Sequence, residues 1–203
     1  MKMFATALLL ASGVAASHAA VINFDDLRIP SQGPGDTRRI PEGYANLDWY
    51  NFFVLRGTDY PGDGYGHGTV STPNAAFNGY GGEASIAATS SAGFDLYSGY
   101  FTAATVPFVT ITARAAFEDG HGASATFTTV ISGPRYEVFD WTGLTSITFE
   151  SGNQEGDQFA VDNLSTTSAP PPVPEPDCLG LVLAGLAVGG LASRRHRSRS
   201  TFS

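Results

Sequence analysis

Along most of the chain, apolar and polar residues alternate with a period of two, and no stretch between residues 20 and 168 repeats apolar residues at i, i+3, i+4 and i+7 over a helix length. The clearest run places Val109, Ile111, Ala113, Ala115 and Phe117 on one face, with Thr110, Thr112, Arg114 and Ala116 on the other. Ala125, Phe127, Thr129 and Ile131 repeat the pattern after Asp119-Gly120-His121-Gly122, a turn whose glycines suit positive φ. This pair predicts a β-hairpin. Further strands are predicted at 21–24, 47–55, 84–88, 94–102, 136–139, 144–150 and 159–164, separated by Gly, Pro, Asn, Asp and Ser. Short strands with one wet face imply stacked antiparallel sheets, an all-β sandwich or jelly roll. Within 47–55, strict alternation puts Leu47, Trp49, Phe53 and Leu55 on one face and Tyr50, Phe52 and Val54 on the other. Residues 58–82, rich in Gly, Tyr, Pro and Asn, break the rhythm and are expected to form a long irregular loop.

The two ends follow a different pattern. Lys2, then an apolar run from Phe4 to Val14, then Ser17-His18-Ala19 match a secretory signal peptide over residues 1–19, whose core forms a short helix cleaved after Ala19, with Ala20 as the alternative. Thr166 to Pro172 reads as a solvated linker that follows a domain of residues 20–165. Residues 173–199 contain Val173-Pro174-Glu175-Pro176, an uncharged apolar stretch from Cys178 to Ser193, and Arg194, Arg195, Arg197 and Arg199. Sixteen helical residues span about 24 Å against roughly 30 Å of hydrocarbon, so this is one short, marginal transmembrane helix. Its arginines are expected to stay cytoplasmic and stop transfer.

Charge narrows the function. Residues 20–168 hold 17 acidic residues against six arginines, a net charge of −11, and no lysine. Such a surface repels phosphate backbones, so nucleic acid is not expected as a partner. Cysteine is absent from the window, which excludes disulfides, thiolate zinc sites and a cysteine nucleophile there.

Catalytic signals are thin. His67 and His121 both sit in Gly-rich turns, and no Gly-x-Ser-x-Gly elbow is present. Glu118 with Asp119, or Glu150 with Glu155, offers carboxylate pairs of the kind glycosidases use, but acids adjacent to a turn also describe any wet surface. Aromatic residues point elsewhere. Trp49, Tyr50, Phe52 and Phe53 crowd one strand, Tyr60, Tyr65 and Tyr80 lie in or beside the long loop, and Trp141 follows another strand. Exposed Tyr and Trp stack on sugar faces. Trp49 is expected in the core, and Tyr65 and Trp141 are the candidate ligand-binding residues, with Tyr65 on the surface.

The C-terminal tripartite arrangement resembles the PEP-CTERM sorting signal of Gram-negative bacteria that make extracellular polysaccharide. That resemblance implies a partner, the membrane protease exosortase, acting around Pro174-Glu175-Pro176. It also implies an inner-membrane intermediate and a final place at the cell surface or in the extracellular matrix.

Asn23-Phe24-Asp25-Asp26-Leu27 and Gly156-Asp157-Gln158-Phe159-Ala160-Val161-Asp162-Asn163-Leu164 resemble the first and last strands of secreted carbohydrate-binding-like (galactose-binding-like) β-sandwiches. The likeness implies pairing of those strands and a structural Ca²⁺ near them. Asp25, Asp26, Asp157 and Asp162 are the candidate ligands, since hard carboxylate oxygens suit calcium. The alternative is that Asp25 and Asp26 cap a strand while Asp162-Asn163 makes a turn. Gly43-Tyr44-Ala45-Asn46-Leu47-Asp48-Trp49 and Ser71-Thr72-Pro73-Asn74-Ala75-Ala76-Phe77-Asn78 are similar to segments of secreted β-sandwich proteins, many of which carry the same tail. The expected function is therefore a non-catalytic surface or matrix protein associated with extracellular polysaccharide. A secreted glycan-active hydrolase and a purely structural matrix component remain the alternatives. A cleft with two carboxylates about 5–10 Å apart would mark the enzyme, and an aromatic platform would mark the binder.

Overall fold

The computed structural model describes residues 19–29, 33–152 and 156–167, so the apolar leader, the Val173-Pro174-Glu175-Pro176 motif, the apolar stretch and the arginine run all lie outside the described residues. The described chain is an antiparallel β-sandwich, as the alternation predicts. Its strands are β1 (Ala20–Ile22), β2 (Thr37–Arg39), β3 (Leu47–Tyr50), β4 (Phe52–Arg56), β5 (Asn74–Asn78), β6 (Ala84–Ala88), β7 (Phe94–Ala103), β8 (Phe108–Phe117), β9 (Gly122–Val130), β10 (Arg135–Ser151) and β11 (Phe159–Thr167). One layer runs β2-β4-β5-β11-β7 and ends on the first half of β10, with β1 beside β11 on the edge shared with β5. The other layer runs β3-β6-β10-β8-β9 through the second half of β10.

β10 joins the layers. The sequence predicts two strands, 136–139 and 144–150, whereas the chain keeps a single strand of 17 residues. Register shifts between Val138 and Trp141 and between Trp141 and Leu144, with positive φ at Asp140 and Gly143, bend it without ending the ladder. Extra residues of this kind re-aim a strand and allow it to switch sheets at a corner.

A second corner lies at Asn51, and here strict alternation fails. Asn51 adopts φ 55° between β3 and β4, which belong to different layers. The turn shifts the side-chain phase by one. Leu47 and Trp49 stay inside, but Phe52 and Val54 now enter the core while Phe53 turns to the outer face. β5 is a further departure, because it lies inside the segment expected to be an irregular loop. All five of its residues are buried, so it carries no alternation to read. Its two asparagines are fully used: Asn74 Nδ2 donates to the Phe24 and Leu27 carbonyls, and Asn78 Nδ2 donates to the Gly82 carbonyl and Ser151 Oγ. β11 also continues two residues past the expected domain end. Thr166 pairs with Leu96 and Ala20, and Thr167 Oγ1 donates to Asp95 at 2.6 Å, so these residues are strand and not linker.

The predicted hairpin is β8–β9. Val109, Ile111, Ala113 and Ala115 are buried, and Phe127 and Thr129 are buried opposite them, while Gly120 takes the positive φ in the turn. Between the layers, Phe101 is fully buried, with ring centroids 5.1 Å from Phe127, 6.0 Å from Phe139, 5.6 Å from Phe149 and 6.1 Å from Phe159. Phe52 continues the cluster towards Trp49 at 5.5 Å. Phe101→Ala removes the ring that four others pack on, and it should cost about 3–5 kcal/mol. Calorimetry should show a melting temperature lowered by roughly 10 °C; an unchanged midpoint would show that the two layers do not depend on this cluster.

Candidate functional site

The outer face of the first layer holds an aromatic recess. Phe53 and Leu55 of β4, Phe77 of β5 and Ala160 of β11 point outward, because their strand neighbours Phe52, Val54, Ala76 and Val161 fill the core. Residues 57–73 fold over the β11 and β7 end of this face. They contain a short helix, α1 (Gly64–Gly68), whose first-turn amides at Tyr65 and Gly66 are accepted by the Asp63 carboxylate. Gly64 allows close contact with the sheet, since a Cβ there would lie 1.7 Å from the Ala103 carbonyl oxygen.

Between this cover and the edge strand β2 lies an open pocket of about 240 Å³. Phe53, Leu55 and Phe77 form its floor, Tyr60, Tyr65 and Tyr80 its aromatic walls, and Thr37, Gly79 and Gln158 complete the lining. The rings touch in series, Tyr60 to Tyr65 at 5.5 Å, Tyr65 to Phe77 at 5.4 Å, Phe77 to Phe53 at 5.8 Å and Phe53 to Tyr80 at 6.3 Å. The Tyr65 hydroxyl donates to Gln158 Oε1, and Gln158 Nε2 donates to the Asn78 carbonyl at 3.2 Å. Burial pushes the Tyr65 hydroxyl pKa well above the usual phenol range, so the group stays a neutral donor.

Tyr80 stands at the mouth, 83% exposed, at φ 58°. A left-handed aromatic residue is uncommon and persists where its surroundings hold it. Asn51 provides that hold: its Nδ2 donates to the Gly79 carbonyl at 3.1 Å and the Glu83 carbonyl at 2.9 Å, while its own carbonyl accepts from the Gly79 amide at 2.8 Å.

Of the two candidate ligand residues, Tyr65 lines the pocket but is buried rather than on the surface, because α1 lays its ring against Phe77. Trp141 is half-buried on β10 against Phe139 and Phe117, away from the pocket lining. In the sequence Tyr60 and Tyr80 stand out only as loop aromatics, and Thr37 carries no signal of a binding role. Strict alternation puts Phe53 on the face of Trp49, and the corner at Asn51 reverses it.

The candidate calcium ligands are not assembled. Among the described residues no group of three or more His, Cys, Asp or Glu is placed to hold a metal ion. Asp26 accepts the Tyr44 hydroxyl at 2.6 Å, and Asp157 stands in the turn before β11 beside Gly81 and Gly152. Asp25 and Asp162 serve the loop that covers the sheet. Asp25 Oδ1 accepts the Asn74 amide at 3.0 Å. Asp162, fully buried, accepts the Val70 and Ser71 amides at 2.8 Å each, the Asn163 amide at 2.7 Å and the Ser71 hydroxyl. These bonds occupy both Asp162 oxygens and Oδ1 of Asp25, which a cation would need. Elsewhere, His67 Nδ1 meets the Ile131 carbonyl at 2.8 Å, His121 stacks on Phe117 beside Asp119, and Glu150 pairs with Arg114 at 3.0 Å. Glu155 lies outside the described residues.

No family model matches the chain, and no curated protein matches it. Among solved structures it is similar to TmCBM61 in complex with β-1,4-galactotriose, at 13% identity and a TM-score of 0.40, covering 62% of this chain and 93% of that one. It is also similar to the N-terminal CBM22-1–CBM22-2 tandem of Paenibacillus barcinonensis Xyn10C, at 11% identity and 0.39, covering 82% of this chain and half of that one. The family 11 carbohydrate-binding module of the cellulosomal cellulase Lic26A-Cel5E of Clostridium thermocellum matches at 12% and 0.26, covering 76% and 97%.

The buried Asp162 makes the cover sensitive to pH. Burial, against the opposing pull of the Ser71, Asn163 and Val70 amides, raises its carboxyl pKa to about 7. In the unfolded chain the same group titrates near 3.9. The folded protein therefore keeps a proton that the unfolded chain has lost between about pH 4 and 7, so this contribution to stability declines as pH rises through that window. The wild-type melting temperature should fall relative to that of Asp162→Asn between pH 4 and 7 and run parallel to it above. Parallel curves across the whole range would contradict the assignment.

Proposed function

We propose that this chain is an exported, non-catalytic glycan-binding protein whose aromatic pocket outside β2, β4 and β5 holds a sugar. The observation that carries the reading is Tyr80, a largely exposed ring held at a left-handed backbone position at the mouth of a recess walled by Tyr60 and Tyr65. Aromatic faces present apolar area to sugar C–H groups, while Gln158 and Thr37 supply hydrogen-bonding groups beside them. The volume falls below the roughly 300 Å³ at which drug-sized pockets begin. It suits one ring of a longer chain that continues into solvent. Among the described residues that line the pocket none is a carboxylate, which supports binding over cleavage by a pair of acids.

The route to the polysaccharide is part of the same proposal. The leader over residues 1–19 would export the chain, and the Val173-Pro174-Glu175-Pro176 signal with its apolar stretch and arginines would pass it to an exosortase. The domain then stays at the cell surface or in the extracellular matrix. The support is the sequence arrangement described above.

Tyr80→Ala and Tyr60→Ala should each weaken binding on a glycan array about two- to tenfold, since a stacked ring contributes about 0.5–1.5 kcal/mol beyond its area. Tyr80→Ala should leave the melting temperature unchanged. Wild-type protein that binds no glycan, or binding indifferent to both substitutions, would sink the reading. For the sorting route, mass spectrometry of chain produced with an exosortase should find the mature protein ending near Pro174–Pro176. Full-length chain retaining Arg194 and Arg195 under those conditions would contradict it.

A further inference from the structure

We infer that the glycan is acidic: the pocket takes a uronate residue, with Arg39 as the group that recognises its carboxylate. This rests on the glycan-binding reading above and specifies its ligand class. β2 pairs Thr37 with Leu55 and Arg39 with Phe53, so Thr37 and Arg39 stand on the same face as the pocket floor. The Arg39 guanidinium lies over the Phe53 ring, 5.6 Å from its centroid, and Phe53 lines the pocket. A cation held over a ring is fixed in place while its N–H edge stays available.

The arginines are unevenly used. Arg114 and Arg135 are each paired with a glutamate, at 3.0 Å to Glu150 and 2.8 Å to Glu137. Arg28, Arg38, Arg39 and Arg56 have no carboxylate partner within 4 Å among the described residues. These four belong to β2, the end of β4 and the loop after β1, whose Arg28 carbonyl accepts from Arg38. Arg38, paired with the core residue Val54, reaches instead to the Arg28 carbonyl, so Arg39, over Phe53, is the cation on the pocket face of β2 without a carboxylate partner among the described residues. Asp63, the acid next to Tyr65, is turned back as the cap of α1. An arginine fork meets a carboxylate in a planar, two-bond arrangement, and that geometry fits the C6 carboxylate of a uronate whose ring stacks on the pocket aromatics.

The test uses the full chain with tetrasaccharides of galacturonate, mannuronate and glucuronate, each beside its methyl ester, which keeps the shape and removes the charge. Calorimetry should find at least one acid bound about tenfold more tightly than its ester, with the preference shrinking as salt rises. Arg39→Gln should abolish the preference, whereas Arg114→Gln, on the other layer, should retain it. Equal binding of acid and ester, or a preference that survives Arg39→Gln, overturns the inference. If neutral glycans then still bind and Tyr80→Ala still weakens them, the glycan-binding reading stands without it. If no saccharide of either kind binds, both fall.

Discussion

Asn51 holds a left-handed backbone between two strands that belong to opposite layers, and the site depends on that corner. Without the phase shift, Phe53 would continue into the core and Phe52 would face solvent. With it, Phe53 becomes the floor of the pocket. The same residue then anchors the Gly79–Gly81 turn through its side chain and its carbonyl, which sets Tyr80 over Phe53. Gly79 is required there, since a Cβ would lie 2.5 Å from Asn51 Oδ1 and 2.6 Å from the Phe53 ring. Asparagine tolerates φ > 0 better than most residues and offers both a donor and an acceptor for the neighbouring backbone. One residue therefore closes the sandwich and builds the mouth of the recess.

The acidic residues divide by location in the same way. Asp25 and Asp162 are spent on backbone amides of residues 70–74, where they fasten the cover that supports Tyr65. Asp162, a buried carboxylate with three amide donors, is an internal tie whose oxygens are no longer free for a cation. Exposed acids such as Asp48 and Glu118 give the domain its overall negative charge. Against that background Arg39, held over Phe53 without a carboxylate partner among the described residues, is a local positive charge on the pocket face.

The parts of the fold legible in the sequence are those where one face is wet. The β8–β9 hairpin is read correctly because Thr110, Thr112 and Arg114 alternate with Val109, Ile111 and Ala113. β5 is hidden because both of its faces are covered and its ends are asparagines, residues that usually mark turns. Its interlock with the first loop, through Asn74 on the Phe24 and Leu27 carbonyls, needs contacts fifty residues apart that no local pattern encodes. The corners at Asn51 and at Asp140 to Gly143 change register by single residues, and period-two reasoning carries an error past such points onto the wrong face. For the site, the aromatic content of residues 49–80 was visible, but which rings meet was not. Tyr65 becomes a wall only because α1 folds onto the sheet, and Trp141 packs against Phe139 and Phe117 instead. Of the four acids, Asp25 lies close enough to Asp162 to act on its charge, yet both accept backbone amides of residues 70–74, and Asp26 instead accepts the Tyr44 hydroxyl.

If sugar binds on the outer face of β2, β4 and β5 as proposed, the ligand's footprint must fall on that face. The most direct measurement is chemical-shift mapping by nuclear magnetic resonance during titration with a bound oligosaccharide. The shifted signals should gather on Phe53, Tyr60, Phe77, Tyr80 and Gln158, with Trp141 and the β8–β9 hairpin unmoved. Shifts centred on Trp141 or on the β8–β9 face would contradict it.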